Sequence, residues 1–268
     1  MVHWDVDLGR DLPPSELTRF VTQGAALVQE ADGLHLVVSP SGAGAYVDAQ
    51  LDDFHGRPPS AYRWRPPLRL EITARFSRPA TEFQGTAGFG FWNAPFVTER
   101  ASPLALRPPA AVWYFLASQP SRLAFAPREG WSGQGWFAQS LDLTGPLGGP
   151  AGLVPAALLA AINYLGPFRR LASRLRPGLT RRVAECLLSV DPTEWHDYCV
   201  EWDAHRARFW VDGVEVLQAA APPAGPLAFV AWNDNQWAIL GPPAGYRGGV
   251  LPVPVEQRLI LARMRLSG

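Results

Sequence analysis

The stretch Trp195-His196-Asp197-Tyr198-Cys199-Val200-Glu201-Trp202, continued by Arg208-Phe209-Trp210-Val211-Asp212-Gly213-Val214-Glu215-Val216-Leu217, constrains the fold more than any other. Tyr198, Val200 and Trp202 alternate with Asp197, Cys199 and Glu201, which predicts a strand with one apolar face. Phe209 and Val211 against Arg208 and Trp210 predict a second strand. Asp212-Gly213 supplies a tight turn with positive φ, after which Val214 and Val216 resume a strand. A hairpin that is apolar on one side needs another sheet across that side, so the chain should fold as a sandwich.

The remaining periodicity agrees. Leu68 to Phe76 places Leu68, Leu70, Ile72, Ala74 and Phe76 on one face and Arg69, Glu71, Thr73 and Arg75 on the other. Strands are also predicted at Leu34–Val38, Ala45–Asp48, Gly85–Pro95, Ala111–Ser118 and Gln257–Leu266. Pro226 to Trp232 is uniformly apolar, the pattern of a strand buried on both faces. No Gly/Ser linker or charge block divides the 268 residues, so one domain spanning 1–268 is expected.

The formal net charge is zero, which predicts no nucleic-acid partner. Cys186 and Cys199 are expected as free thiols, with a disulfide between them the lesser alternative. Two cysteines without a completing histidine spacing make no zinc site, so no metal and no cofactor is expected. Met1 to Asp7 has neither the basic start nor the apolar core of a signal peptide, and this points to the cytoplasm. The apolar run near Leu153–Ile162 is shorter than the ~20 residues that span a bilayer.

The pattern W-H-x-Y-x-V-E-W followed by R-F-W-V-D-G-V-x-V resembles the late strands of concanavalin A-like jelly rolls, most specifically those of family 16 of the glycoside hydrolases. The likeness is specific over Glu194–Leu217 and looser over Leu68–Pro120 and the C-terminal strands. The chain also resembles a group of uncharacterised bacterial proteins of that superfamily. The resemblance implies an all-β, concanavalin A-like jelly-roll β-sandwich, with a carbohydrate as ligand in a concave aromatic cleft. The family's catalytic motif is E-x-D-x-x-E on one strand, where period two puts the first two carboxylates on one face. Here the corresponding strand has Val112-Trp113-Tyr114-Phe115-Leu116-Ala117, and no carboxylate occurs from Ala101 to Phe125. Glu201 to Asp203 is a formal E-x-D, but Arg206 stands where the last Glu belongs. Retaining hydrolysis by the family mechanism is therefore not expected.

Ligand contacts are expected from Trp92, Trp113, Trp131, Trp136 and Trp232, whose indole faces suit sugar rings. Hydrogen bonds are expected from Asn93, Asp234, Asn235 and Gln236. Asn233-Asp234-Asn235-Gln236 between Trp232 and Trp237 is the most site-like patch, although it is also good turn chemistry. Should the chain carry an acid or base, Asp234 is the first candidate, then Glu99 and His196.

Residues 150–188 read as a helical insertion without counterpart in a sandwich. Val154, Ala157, Leu158, Ala161, Ile162 and Leu165 fall at helical spacing, and Leu171, Leu175, Leu179, Val183 and Leu187 form a second stripe opposite six arginines. The insertion could pack on the sandwich with a solvated Arg face, rest weakly on an anionic membrane surface, or cover the cleft as an apolar lid. Two functions compete: non-catalytic binding of an oligosaccharide or other small molecule, and an enzyme acting on an apolar intracellular metabolite or on a glycoside through Asp234.

Overall fold

A computed structural model describes residues 1–95, 109–124, 133–144, 182–239 and 247–268. Two antiparallel sheets face each other. The first contains β1 (Val2–Asp7), β3 (Ala25–Glu30), β4 (Gly33–Val38), β6 (Leu68–Phe76), β11 (His196–Trp202), β12 (Ala207–Val211), β13 (Val214–Ala219) and β17 (Gln257–Ser267). Its order is β13-β12-β11-β6-β17-β4-β3, with β1 also on β17. The second contains β2 (Thr18–Val21), β5 (Asp48–Asp52), β7 (Thr86–Trp92), β8 (Ala110–Ala117), β9 (Gly135–Asp142), β10 (Val183–Leu187) and β14 (Ala228–Asp234), in the order β10-β9-β8-β7-β14-β5-β2. A short ribbon of β15 (Gln236–Ile239) and β16 (Arg247–Val250) extends from the end of β14.

The alternations translate directly into burial. In β6 every second residue from Leu68 to Phe76 is buried, and in β11 Tyr198, Val200 and Trp202 are buried. The turn after β12 uses Asp212 at φ 50° and Gly213 at φ 77°, as the Asp-Gly pair predicts. Between the sheets Phe89 and Tyr114 meet Trp136 and Tyr198, and the Trp136 indole N–H donates to the Tyr198 hydroxyl at 3.1 Å. The Tyr114 hydroxyl crosses to the first sheet, where the carbonyls of Cys199 and Trp210 lie at 3.0 and 2.8 Å. Both cysteines are free thiols.

Two expectations change. Most of the helical insertion, residues 150–181, lies outside the described residues. Its last part, Val183–Leu187, is not helical: it is β10, paired with β9 from Val183↔Leu141 to Leu187↔Phe137. Residues four apart share a face in a helix and also in a strand, so Val183 and Leu187 satisfied both periods, and pairing with β9 decided between them. The strand expected at Ala45–Asp48 instead begins at Asp48 and runs to Asp52.

The second sheet is packed on both sides. On its outer side Gly88 lies opposite Trp232 and Phe115. A Cβ there would stand 2.2 Å from the Tyr114 carbonyl oxygen and 2.9 Å from the Trp232 ring. Gly88→Ala should therefore destabilise the fold by about 3 kcal/mol, the scale of core overpacking. Thermal unfolding should show the midpoint lowered by roughly 6–12 °C.

Candidate functional site

Period two sorts the second sheet's residues into an inner set and an outer set. The outer set from β8 is Ala111, Trp113, Phe115 and Ala117; from β14 it is Ala228, Val230, Trp232 and Asp234; from β5 it is Asp48, Gln50 and Asp52. Trp113 stands between Trp92 and Trp232, with ring centroids 5.8 and 5.3 Å away, and Phe115 lies 5.1 Å from Trp232. Gly88 and Gly90 on β7, between β8 and β14, leave the room these rings need.

At one end of this aromatic layer two carboxylates meet. Asp234 is directly across from Asp48 on one side and from Thr86 on the other. Directly opposed residues on neighbouring strands have Cβ atoms about 4.5–5.5 Å apart. Asp48 is 3 % exposed and Asp234 7 %. Asp234 Oδ1 accepts from the Thr86 hydroxyl (2.8 Å), the Thr86 N–H (3.3 Å) and the Gln236 N–H (3.0 Å). The Trp232 indole donates to that same Thr86 hydroxyl at 3.0 Å. Asp48 Oδ2 accepts from Tyr46 at 2.8 Å, and Asp48 Oδ1 is buried without a hydrogen-bond partner.

The electrostatics follow. Burial raises Asp48 well above the usual carboxylate range, and the charges of Asp234 and then Asp52 push the same way. Burial pushes Asp234 up to about 6 against the hydrogen bonds from Gln236 and Thr86. Burial, then Asp48 and Asp234, raise the Tyr46 phenol. Two opposed buried carboxyls titrate as a pair, and the pair holds a proton that either carboxyl alone would lose in water. Tyr46, 39 % exposed, and the exposed Gln236 form the open rim beside it.

Next along β5, Asp52 is fully engaged. It accepts from Gln50 Nε2 (2.8 Å), from the N–H groups of Phe54 and His55 (2.9 and 2.8 Å), and from His55 Nδ1 (2.6 Å). His55 is stacked on Phe20 and Phe54, with centroids 4.3 and 4.9 Å away. Asp53 is also satisfied, by Trp64 Nε1 and the Phe229 N–H. Asp48 alone among these carboxyls keeps a buried oxygen unpaired.

The sequence-derived candidates divide. Trp92, Trp113, Trp232 and Asp234 lie on the outer face, and Gln236 lies at its rim. Trp136 does not: its position in β9 has the inner parity, and it is part of the core between the sheets. Asn235 is turned into a structural role, accepting from the Val47 N–H at 2.9 Å and donating to the Ala45 and Leu251 carbonyls at 2.8 and 2.7 Å. Asn93 accepts from the Ala110 N–H at 3.0 Å and so closes the start of β8. His196 belongs to the first sheet, where Asp212 and the Asp191 carbonyl engage its two ring nitrogens, so it takes no part in this face. Trp131 and Glu99 lie outside the described residues, as does most of the segment read as a helical insertion.

Tyr46, Asp48, Gln50, Asp52 and His55 were not among the candidates. Their signal is Asp48-x-Gln50-x-Asp52, a period-two polar set of the kind that puts carboxylates on one face of a strand. A second E-x-D also exists at Glu30 to Asp32, with His35 where the last Glu would stand. It spans the end of β3 and the turn into β4, so its carboxylates share no strand face. Glu30, Asp32 and His35 are the only described group with the spacing of metal ligands, but Asp32 and Arg258 already engage the two nitrogens of His35.

No protein-family model matches the chain, and no curated protein does. Solved structures are similar to it in fold. A Crh5 transglycosylase in complex with NAG aligns over 99 % of this chain and 83 % of its own, at TM-score 0.50 and 12 % identity. The laminarinase catalytic domain from Thermotoga maritima MSB8 aligns over 99 % and 97 %, at TM-score 0.52 and 10 % identity. A chain from work on endo-acting O-glycanases of the human gut microbiota aligns over 99 % and 98 %, at 0.50 and 12 %. At such identities the likeness is one of fold: a jelly-roll sandwich shared with glycan-active proteins.

The paired carboxyls give a pH dependence of defined sign. The folded state holds their protons more tightly than the unfolded chain, whose aspartates ionise near 3.8. Stability is therefore lost as pH rises from about 4 through 6, the range in which the unfolded state releases protons that the fold retains. Asp48→Asn removes one partner and keeps the shape. Its thermal midpoint should match the wild type near pH 4 and exceed it by several degrees at pH 8. Parallel melting curves of the two proteins would refute the raised pair.

Proposed function

We propose that the outer face of the second sheet binds a saccharide without cleaving it. The observation that carries this reading is the juxtaposition of the Trp92–Trp113–Trp232 layer with the Asp48–Asp234 pair and its unpaired oxygen. A sugar ring presents apolar C–H faces and a rim of hydroxyl donors. Aromatic surface beside buried acceptors complements both. The ligand would approach past Tyr46 and Gln236, the exposed members of the rim. Support also comes from the fold, which this chain shares with a transglycosylase captured in complex with NAG and with a laminarinase.

One observation favours a second reading, glycoside cleavage. The two carboxyls are directly opposed, and retaining enzymes hold theirs about 5–5.5 Å apart. In that case the protonated member of the pair would donate to the leaving oxygen and its ionised partner would attack the anomeric carbon. Against this stands the commitment of Asp234 Oδ1 to three donors, which suits a fixed acceptor better than a nucleophile.

Trp fluorescence titration with soluble gluco- and chito-oligosaccharides tests binding. Saturable quenching is expected, and Trp113→Ala should weaken it about tenfold, the scale of one aromatic anchor. No response to any oligosaccharide would sink the reading. Chromatography of the same mixtures after long incubation decides between binding and cleavage: intact ligand supports the first, and products lost in Asp234→Asn support the second.

A further inference from the structure

We infer that the saccharide bound on this face carries a free amine, and that its ammonium group seats between Asp48 and Asp234. The inference rests on the saccharide reading above and narrows it to aminated sugars.

The charge balance comes first. Asp48, Asp52 and Asp234 all project from the outer face of two neighbouring strands. Asp52 has His55 as its counter-group. Among the described residues Asp48 and Asp234 have no cationic partner, and the charges acting on Asp48 are those of other carboxylates. The outer face of the first sheet is different. There Arg69 and Arg208 hold Glu201, Arg69 and Arg265 flank Glu71, and Arg263 holds Asp5. Among the described residues, Glu201, Glu71 and Asp5 have arginine partners, whereas Asp48 and Asp234 have no cationic one.

The unpaired oxygen comes second. Asp48 Oδ1 can only accept when its carboxyl is ionised, and it is buried without a hydrogen-bond partner. A buried acceptor without a donor is costly, so the group that completes the site must bring a donor. A neutral hydroxyl would satisfy the oxygen and leave two opposed carboxyls still repelling. An ammonium brings three N–H donors and a positive charge together. It can bond Asp48 Oδ1, reach Asp234, and have one donor left for the Tyr46 oxygen, which is itself 2.8 Å from Asp48. N-acetylation removes the charge and two of the donors. A uronate or sulfate would add a further anion beside three carboxyls.

The test compares oligomers of glucosamine, N-acetylglucosamine and glucose of equal length, titrated by Trp fluorescence at a pH that keeps the amines protonated. The glucosamine oligomer should bind at least about tenfold more tightly than the other two, the scale of a charge-assisted hydrogen bond. Asp48→Asn and Asp234→Asn should each bring its affinity down to that of the acetylated oligomer. The wild-type comparison is decisive by itself if either variant fails to fold. Equal or tighter binding of an uncharged oligomer overturns the amine and leaves the saccharide reading standing. A preference that survives in both variants places the amine elsewhere and also overturns the inference. Failure of all three to bind removes the saccharide reading, and the inference with it.

Discussion

The register of β14 is the constraint from which the rest of the second sheet follows. Asn233 and Asn235 fix it. Asn233, fully buried, donates to the Leu36 and Gln257 carbonyls and accepts from Gln257 Nε2. Asn235, equally buried, satisfies its amide completely through Val47, Ala45 and Leu251. One amide reaches the first sheet and the other the segments that flank the end of the strand. A slip of one residue would break both sets and turn every side chain of β14 to the opposite face. Because the two amides are held, Asp234 between them has a single direction left, outward and opposite Asp48. The acid pair is thus imposed by neighbouring residues that gain from the register, although the pair itself loses by it.

That local loss is informative because Asp48 alone among the described buried carboxyls keeps a buried oxygen unpaired. The first sheet's outer face interleaves arginine with carboxylate. Asp52 and Asp53 are buried but have their lone pairs engaged by donors. Thr86 and Gln236 offset part of the cost at Asp234, and Tyr46 part of the cost at Asp48. One oxygen is left over. Sequences are usually consistent across levels, and departures concentrate where something other than stability is being served.

Much of the fold was legible because strands announce themselves by parity. The alternation in β6 and β11 gave their buried faces residue by residue, and Asp212-Gly213 gave the turn. The site was less legible for three physical reasons. Parity says which residues share a face but not which face is outside, so Trp136 and Trp113 looked alike until β9 and β8 were paired. Spacings of four are common to helix and strand, so β10 read as helix. And Asp48-Ala49-Gln50-Leu51-Asp52 carries so few apolar residues that it looks like the end of a strand, when it is a strand whose outer face is polar and buried. A search for carboxylates confined to one strand also overlooks a pair built by two, and here the partners come from β5 and β14, which are far apart in the chain and adjacent only in the sheet.

The same opposition couples binding to folding. Since the pair exists only when β5 and β14 are registered, its repulsion is a property of the folded state alone. Any ligand that relieves it acts on the folded state alone and stabilises the protein by mass action. An uncharged ligand relieves only the unpaired oxygen, so it should leave the proton balance of the pair nearly as it was. A cationic ligand replaces the shared proton and should release it on binding. Proton release is therefore the signature that separates charge compensation from simple hydrogen bonding at this site, and it arises from the geometry of two opposed strands rather than from any one residue's chemistry.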